Sequence, residues 1–182
     1  MGTDVTLTYS SQWKGFRWDV ERVINDLFTF SENVAAQWVN DLDVVPWFPE
    51  NAEREAWLQQ GNGYLWVHRV GGELNIETSP GVDEAVVQMA ALTKSRDDSN
   101  ELLEFVASVL CAFGKGGGYV HRSKAHRSGT STTFMRVPGE VVGPQFIPDR
   151  FRDARLIPAQ WEIHVDLPRG LPDYRDQLGL EW

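Results

Sequence analysis

The sequence predicts an α+β fold, a mainly antiparallel sheet covered by several helices, on three observations. Trp161, Ile163, Val165 and Leu167 alternate with Glu162, His164 and Asp166, the period of two that a half-buried strand requires. Residues 64–70 and 73–78 flank Gly71-Gly72, and a glycine pair suits the positive φ angles of a two-residue hairpin turn. Val20, Val23, Ile24, Leu27 and Phe28, and later Leu102, Phe105, Val106, Val109 and Phe113, fall at helical spacing. With no internal repeat and no low-complexity linker, residues 1–182 are expected to form a single domain.

Taken in order, Val5-Thr6-Leu7-Thr8-Tyr9 alternates as a strand would and is expected to open the sheet. Asp19 stands where it can cap the first helix. Ser31-Glu32 restarts a helical signal through Val34, Ala35, Trp38, Val39 and Leu42, until Pro46 forbids continuation. Asn51 is expected to cap a short helix through Trp57 and Leu58, ended by Gly61 and Gly63. In the hairpin, Leu65, Val67, Leu74 and Ile76 share one face, with Trp66 and His68 on the other. Ser79-Pro80 starts a helix with Asp83 and Glu84 in its first turn and Val82, Val86, Met89 and Ala90 inward. Asp98 and Glu101 form a capping box for the next helix, where Cys111 reads as a small core residue, and Gly114 terminates it. Residues 132–137 are β-prone and Pro138-Gly139 stops them. The tail is expected to pack through Leu171, Tyr174, Leu178 and Leu180.

Charge narrows the partners. The chain carries a formal net charge of −9, which repels phosphodiester backbones and argues against a nucleic-acid ligand. A single cysteine excludes an internal disulfide and a cysteine-built zinc site. No apolar run is long enough to cross a bilayer and no leader pattern precedes the first elements, so a cytoplasmic protein without membrane contact is expected. No metal or cofactor is expected either.

Against that acidic background, residues 113–139 hold five Lys/Arg and no Asp/Glu. The run Gly114-Lys115-Gly116-Gly117-Gly118-Tyr119-Val120-His121-Arg122-Ser123-Lys124 follows a helix and lacks the Gly-Lys-Ser/Thr ending of a phosphate-binding loop. It reads either as a helix terminator leading into a strand at Tyr119 or as an interaction loop with Lys115 on an unobstructed backbone. Lys115, Gly116, Gly117, Gly118, Tyr119, His121, Arg122 and Lys124 are the expected partner-binding residues. His121 and His126 beside Arg122 and Lys124 could serve acid–base chemistry on a phosphate ester, yet no orienting carboxylate lies nearby and their spacing fits helical metal ligands poorly. His164 between Glu162 and Asp166 is explained by polar alternation, and no catalytic residue is assigned.

Phe30-Ser31-Glu32-Asn33-Val34-Ala35-Ala36-Gln37-Trp38 and Gly116-Gly117-Gly118-Tyr119-Val120-His121-Arg122, with Trp38, Trp47, Trp57 and Trp66, resemble the bacterial polymorphic-toxin immunity proteins, chiefly immunity factors of the tuberculosis necrotizing toxin type. That resemblance implies a non-catalytic α+β inhibitor that binds one NAD-glycohydrolase toxin domain in the cytosol and blocks its active site. Two other functions are weighed beside it: a chaperone for a secreted effector, and a small hydrolase or transferase using His121, His126 or His164.

Overall fold

A computed structural model describes residues 8–77, 81–114, 116–145 and 155–180. Helix α1 (Val20–Thr29) starts where Asp19 accepts hydrogen bonds from the Glu21 and Arg22 N–H groups at 3.1 and 3.5 Å. Its Val20, Val23, Ile24, Leu27 and Phe28 are buried, as their spacing predicts. The second predicted helix does not form. Residues 31–42 give a 3₁₀ turn at Val34–Gln37, and then strand β1 (Leu42–Val45) after Asp41 at φ 56°. Asn33 precedes the turn, but its amide bonds elsewhere and leaves the turn uncapped. Val34 and Trp38, read as an inward stripe, are exposed.

Helix α2 (Asn51–Gln59) links β1 to the parallel strand β2 (Gly63–Asn75), with Glu50 rather than Asn51 before its first turn. β2 pairs antiparallel with β3 (Val82–Leu92), and the order across the sheet is β1-β2-β3-β6-β5-β4. β4 is Gly118–His121, β5 is Thr132–Val142 and β6 is Ile157–Asp166. Every pair except β1–β2 is antiparallel. The fold is therefore α+β with a six-stranded, mostly antiparallel sheet.

Two expectations about β2 and β3 are corrected. The chain does not turn at Gly71-Gly72: β2 runs through both glycines to Asn75, with the register shifting between Arg69 and Gly71. That shift is a bulge with Val70 as the extra residue, and Gly72 (φ +104°) permits it, since a Cβ there would stand 2.0 Å from the Glu84 carbonyl oxygen. The connection to β3 comes after Asn75. The predicted helix from Ser79-Pro80 is a strand instead; residues 78–80 lie outside the described set, and Ala85, Val87, Met89 and Ala91 of β3 are fully buried. Ala, Met, Gln and Glu favour a helix locally, but a central strand buried on both faces overrides that preference. Leu65 and Val67 are buried as expected, while Ile76 is exposed.

Helix α3 (Arg96–Ala112) is capped by Ser95, which accepts from the Asp98 N–H at 3.1 Å, so Asp98 is not the cap. Leu103, Val106 and Leu110 form its buried line, with Leu102, Phe105 and Phe113 on the flank. Cys111 is exposed rather than core, because it falls beside that line. β5 does not stop at Pro138-Gly139. It bulges there and resumes to Val142, and the Val137 N–H leaves the ladder for the Phe113 carbonyl at 3.3 Å.

The core gathers Leu65, Val67, Val87, Met89, Met135, Trp161 and Ile163 of the sheet with buried residues of α1 and α3. A smaller cluster of Leu58, Tyr64 and Leu92 packs with Phe48 and Trp57. In the tail, helix α4 (Tyr174–Gln177) is short, and Leu178 and Leu180 are exposed, contrary to expectation. Residues 5–7 of the expected first strand lie outside the described set, and Thr8 and Tyr9 are not in a strand.

Candidate functional site

The basic run splits into parts with different fates. Lys115 lies outside the described residues. Gly116 is exposed and nothing would meet a Cβ there, whereas Gly117 (φ +66°) is boxed in: a Cβ would come within 2.5 Å of Phe134 Cζ and Arg136 Cγ. The second glycine is thus required by the backbone. Gly118 and Tyr119 enter β4; Tyr119 is exposed, packs edge-on to Phe134, and its hydroxyl accepts from Arg169 Nη2 at 3.2 Å. His121 is tied down by Asn33, which accepts from its N–H at 2.8 Å and donates to its carbonyl at 2.9 Å. The His121 ring stands 3.3 Å from Glu32.

Arg122 is buried. Its Nε lies 2.8 Å from Asp26 Oδ2, an ion pair with side-chain exposures of 5% and 7%, though the N–H is not aligned as a hydrogen bond. Asp26 also accepts from the Ser123 hydroxyl at 2.6 Å and from the Ser123 N–H at 3.3 Å. The Arg122 guanidinium sits over the Trp18 ring, 4.9 Å from its centroid, and His126 meets the same ring edge-on. Burial draws the guanidinium pKa below its ordinary value, and Asp26 opposes the shift.

These contacts form one wall of a cleft of about 960 Å³ between the segment 13–18, the loop 122–127 and the start of α1. Val44 and Val67 form its apolar floor. The cations Arg17, Lys124 and Arg127 are exposed around it, and Arg127 lies over Trp13 at 4.4 Å and over Tyr9 at 5.2 Å. Tyr174 fixes the opposite lip, accepting from the Lys14 N–H at 2.8 Å and donating to the Gly15 carbonyl at 2.7 Å. His126 lines the cleft with its pKa lowered, first by burial and then by Arg127; its Nδ1 accepts from the Ser128 N–H at 3.2 Å.

Of the expected partner-binding residues that are described, the structure brings only Arg122 and Lys124 to this cleft. His121 faces Glu32, and His164 lies on β6 with Nε2 2.7 Å from Glu162. Trp13, Phe16, Arg17, Trp18 and Asp26 escaped the sequence reading. The aromatic and basic run Trp13-Lys14-Gly15-Phe16-Arg17-Trp18 was the signal that could have found most of them. Among the described residues no three His, Cys, Asp or Glu side chains converge as a metal site, and no helix is long and apolar enough to cross a membrane.

A six-stranded, mostly antiparallel sheet with short outer strands, flanked by an aromatic and cationic cleft, defines an α+β protein. Residues 16–172 match the model of a family described as phage tail termination protein, and the chain belongs to that family. No curated protein matches it.

Proposed function

We propose that the chain ends the growth of a phage tail by binding protein at the tail's end, as a non-catalytic component acting in the cytoplasm. The observation that carries this reading is the family match, which covers all six strands and all of the cleft lining except Trp13 and Gly15. The geometry supports it in a second way. β1 pairs only with residues 63–66 of β2, and β4 only with residues 132–135 of β5, so on its outer side each long strand continues without a neighbouring strand among the described residues. Such an edge is a template for a strand from another chain. In this reading the helices cover one face of the sheet and the edges serve the partner.

The test is polymerisation of the tail-tube subunit of the same phage with and without the purified chain, with tube lengths read by electron microscopy. Shorter tubes bearing the chain at one end are expected; an unchanged length distribution with no bound chain overturns the proposal. The inhibitor of an NAD-glycohydrolase toxin remains a separate proposal. It draws on the exposed Tyr119, His121 and Lys124 of the basic run, and protection of NAD from such a toxin domain at one-to-one stoichiometry would favour it instead.

A further inference from the structure

The cleft wall contains two donors that the protein leaves unused. Arg122 Nη1 and Trp18 Nε1 are both buried and without a hydrogen-bond partner, a state that is costly unless an acceptor arrives. Both residues line the cleft. The carboxylates at its edge are already engaged: Asp26 by Arg122 and Ser123, Asp19 by the first turn of α1 and Arg22, Glu21 by the Arg69 N–H and His68. Arg17, Lys124 and Arg127 have no carboxylate partner among the described residues, so a chain that is acidic overall carries an uncompensated positive rim here.

We propose that this cleft docks an acidic peptide segment of the protein partner, one carboxylate accepting from Arg122 Nη1 and the others meeting Arg17, Lys124 and Arg127. The partner's being a protein rests on the tail-termination reading. Charge complementarity favours a peptide over a nucleic acid. Three cations without a carboxylate partner match a few discrete carboxylates better than the evenly spaced charges of a continuous phosphate backbone. Arg127 already lies over Trp13 and Tyr9 and would compete with bases for those rings.

The test has two arms. In the first, fluorescence anisotropy follows a short labelled peptide of glutamate, leucine and glycine, its glutamine-for-glutamate counterpart, and a single-stranded oligonucleotide. The glutamate peptide is expected to bind at least about tenfold tighter than the glutamine peptide, with that preference fading as salt rises. Arg17→Glu with Arg127→Glu, both exposed, should abolish the preference, while thermal unfolding stays cooperative and shifts only by the loss of the Arg127 contacts to Trp13 and Tyr9. Equal binding of the two peptides, no binding by either, or tighter binding of the oligonucleotide overturns the proposal. In the second arm the variant with Arg17, Lys124 and Arg127 all changed to Glu enters the tube-length assay. If wild type ends tubes and the variant does so equally well, the cleft proposal falls and tail termination stands; if wild type fails to end tubes, tail termination falls, and the peptide preference is judged on the first arm alone.

Discussion

Helix α1 carries two aspartate–arginine pairs, and they teach opposite lessons. Asp19 and Arg22 approach to 3.4 Å with side chains 55% and 72% exposed. Asp26 and Arg122 approach to 2.8 Å with both side chains almost wholly buried. Water screens the first pair and holds its worth below about 1 kcal/mol. The second has surrendered its hydration, so each charge depends on the other, and breaking the pair costs far more than forming it contributes. Position, not residue type, separates a surface ornament from the joint that fastens the loop 121–123 to the helix.

The sharpest way to break the comparison is Asp26→Ala. It leaves the Arg122 guanidinium buried without a counter-charge, and a loss of about 3–5 kcal/mol is expected in denaturant unfolding. Asp26→Leu with Arg122→Met should recover most of that loss, because two well-packed apolar groups tolerate burial that one lone charge does not. If the double variant is no better than Asp26→Ala, the pair is not the source of the cost. Next comes Asn33→Ala. Its amide serves the Asp26 carbonyl and both backbone groups of His121, so stranding these should cost about 2–3 kcal/mol by the same measurement.

A smaller effect is expected from acid. Because the folded state lowers the His126 pKa, the neutral ring contributes stability that is complete above its unfolded value and lost as pH falls through the folded one. Wild type should therefore lose more thermal stability than His126→Gln between about pH 7.5 and about pH 5. Equal losses would mean that another group controls the acid limb. The smallest effect belongs to the exposed pair. Asp19→Asn keeps an N-cap acceptor and gives up only the ion pair, so a change below about 1 kcal/mol is expected, whereas Asp19→Ala also gives up the cap and should cost about 1 kcal/mol more.

Legibility in the sequence followed how locally each structure is decided. α1 and β6 were readable because capping and alternation act over neighbouring residues: Asp19 caps, and Trp161, Ile163 and Val165 turn inward. β3 was not, since its two neighbouring strands decide its state and its residues suit a helix equally well. Gly71-Gly72 carried a real signal for positive φ, but a bulge uses the same glycine chemistry as a hairpin, and only the partner strand distinguishes them. Cys111 failed by one helical step. At the site, Arg122 was visible as a cation and not as a buried one, because its counter-charge Asp26 lies 96 positions earlier in the chain.

The tie made by Tyr174 also sets an order of events. Lys14 and Tyr174 are 160 positions apart, so this lip of the cleft cannot be fastened until Tyr174 has left the ribosome. The sheet strands and α3 precede that tyrosine in synthesis, which makes the lip among the last parts to settle. A chain cut short before Tyr174 retains every strand and loses this fastening of the segment that carries Trp13, Arg17 and Trp18. The lip of the cleft is thus fastened only after the sheet that supports it has been synthesised.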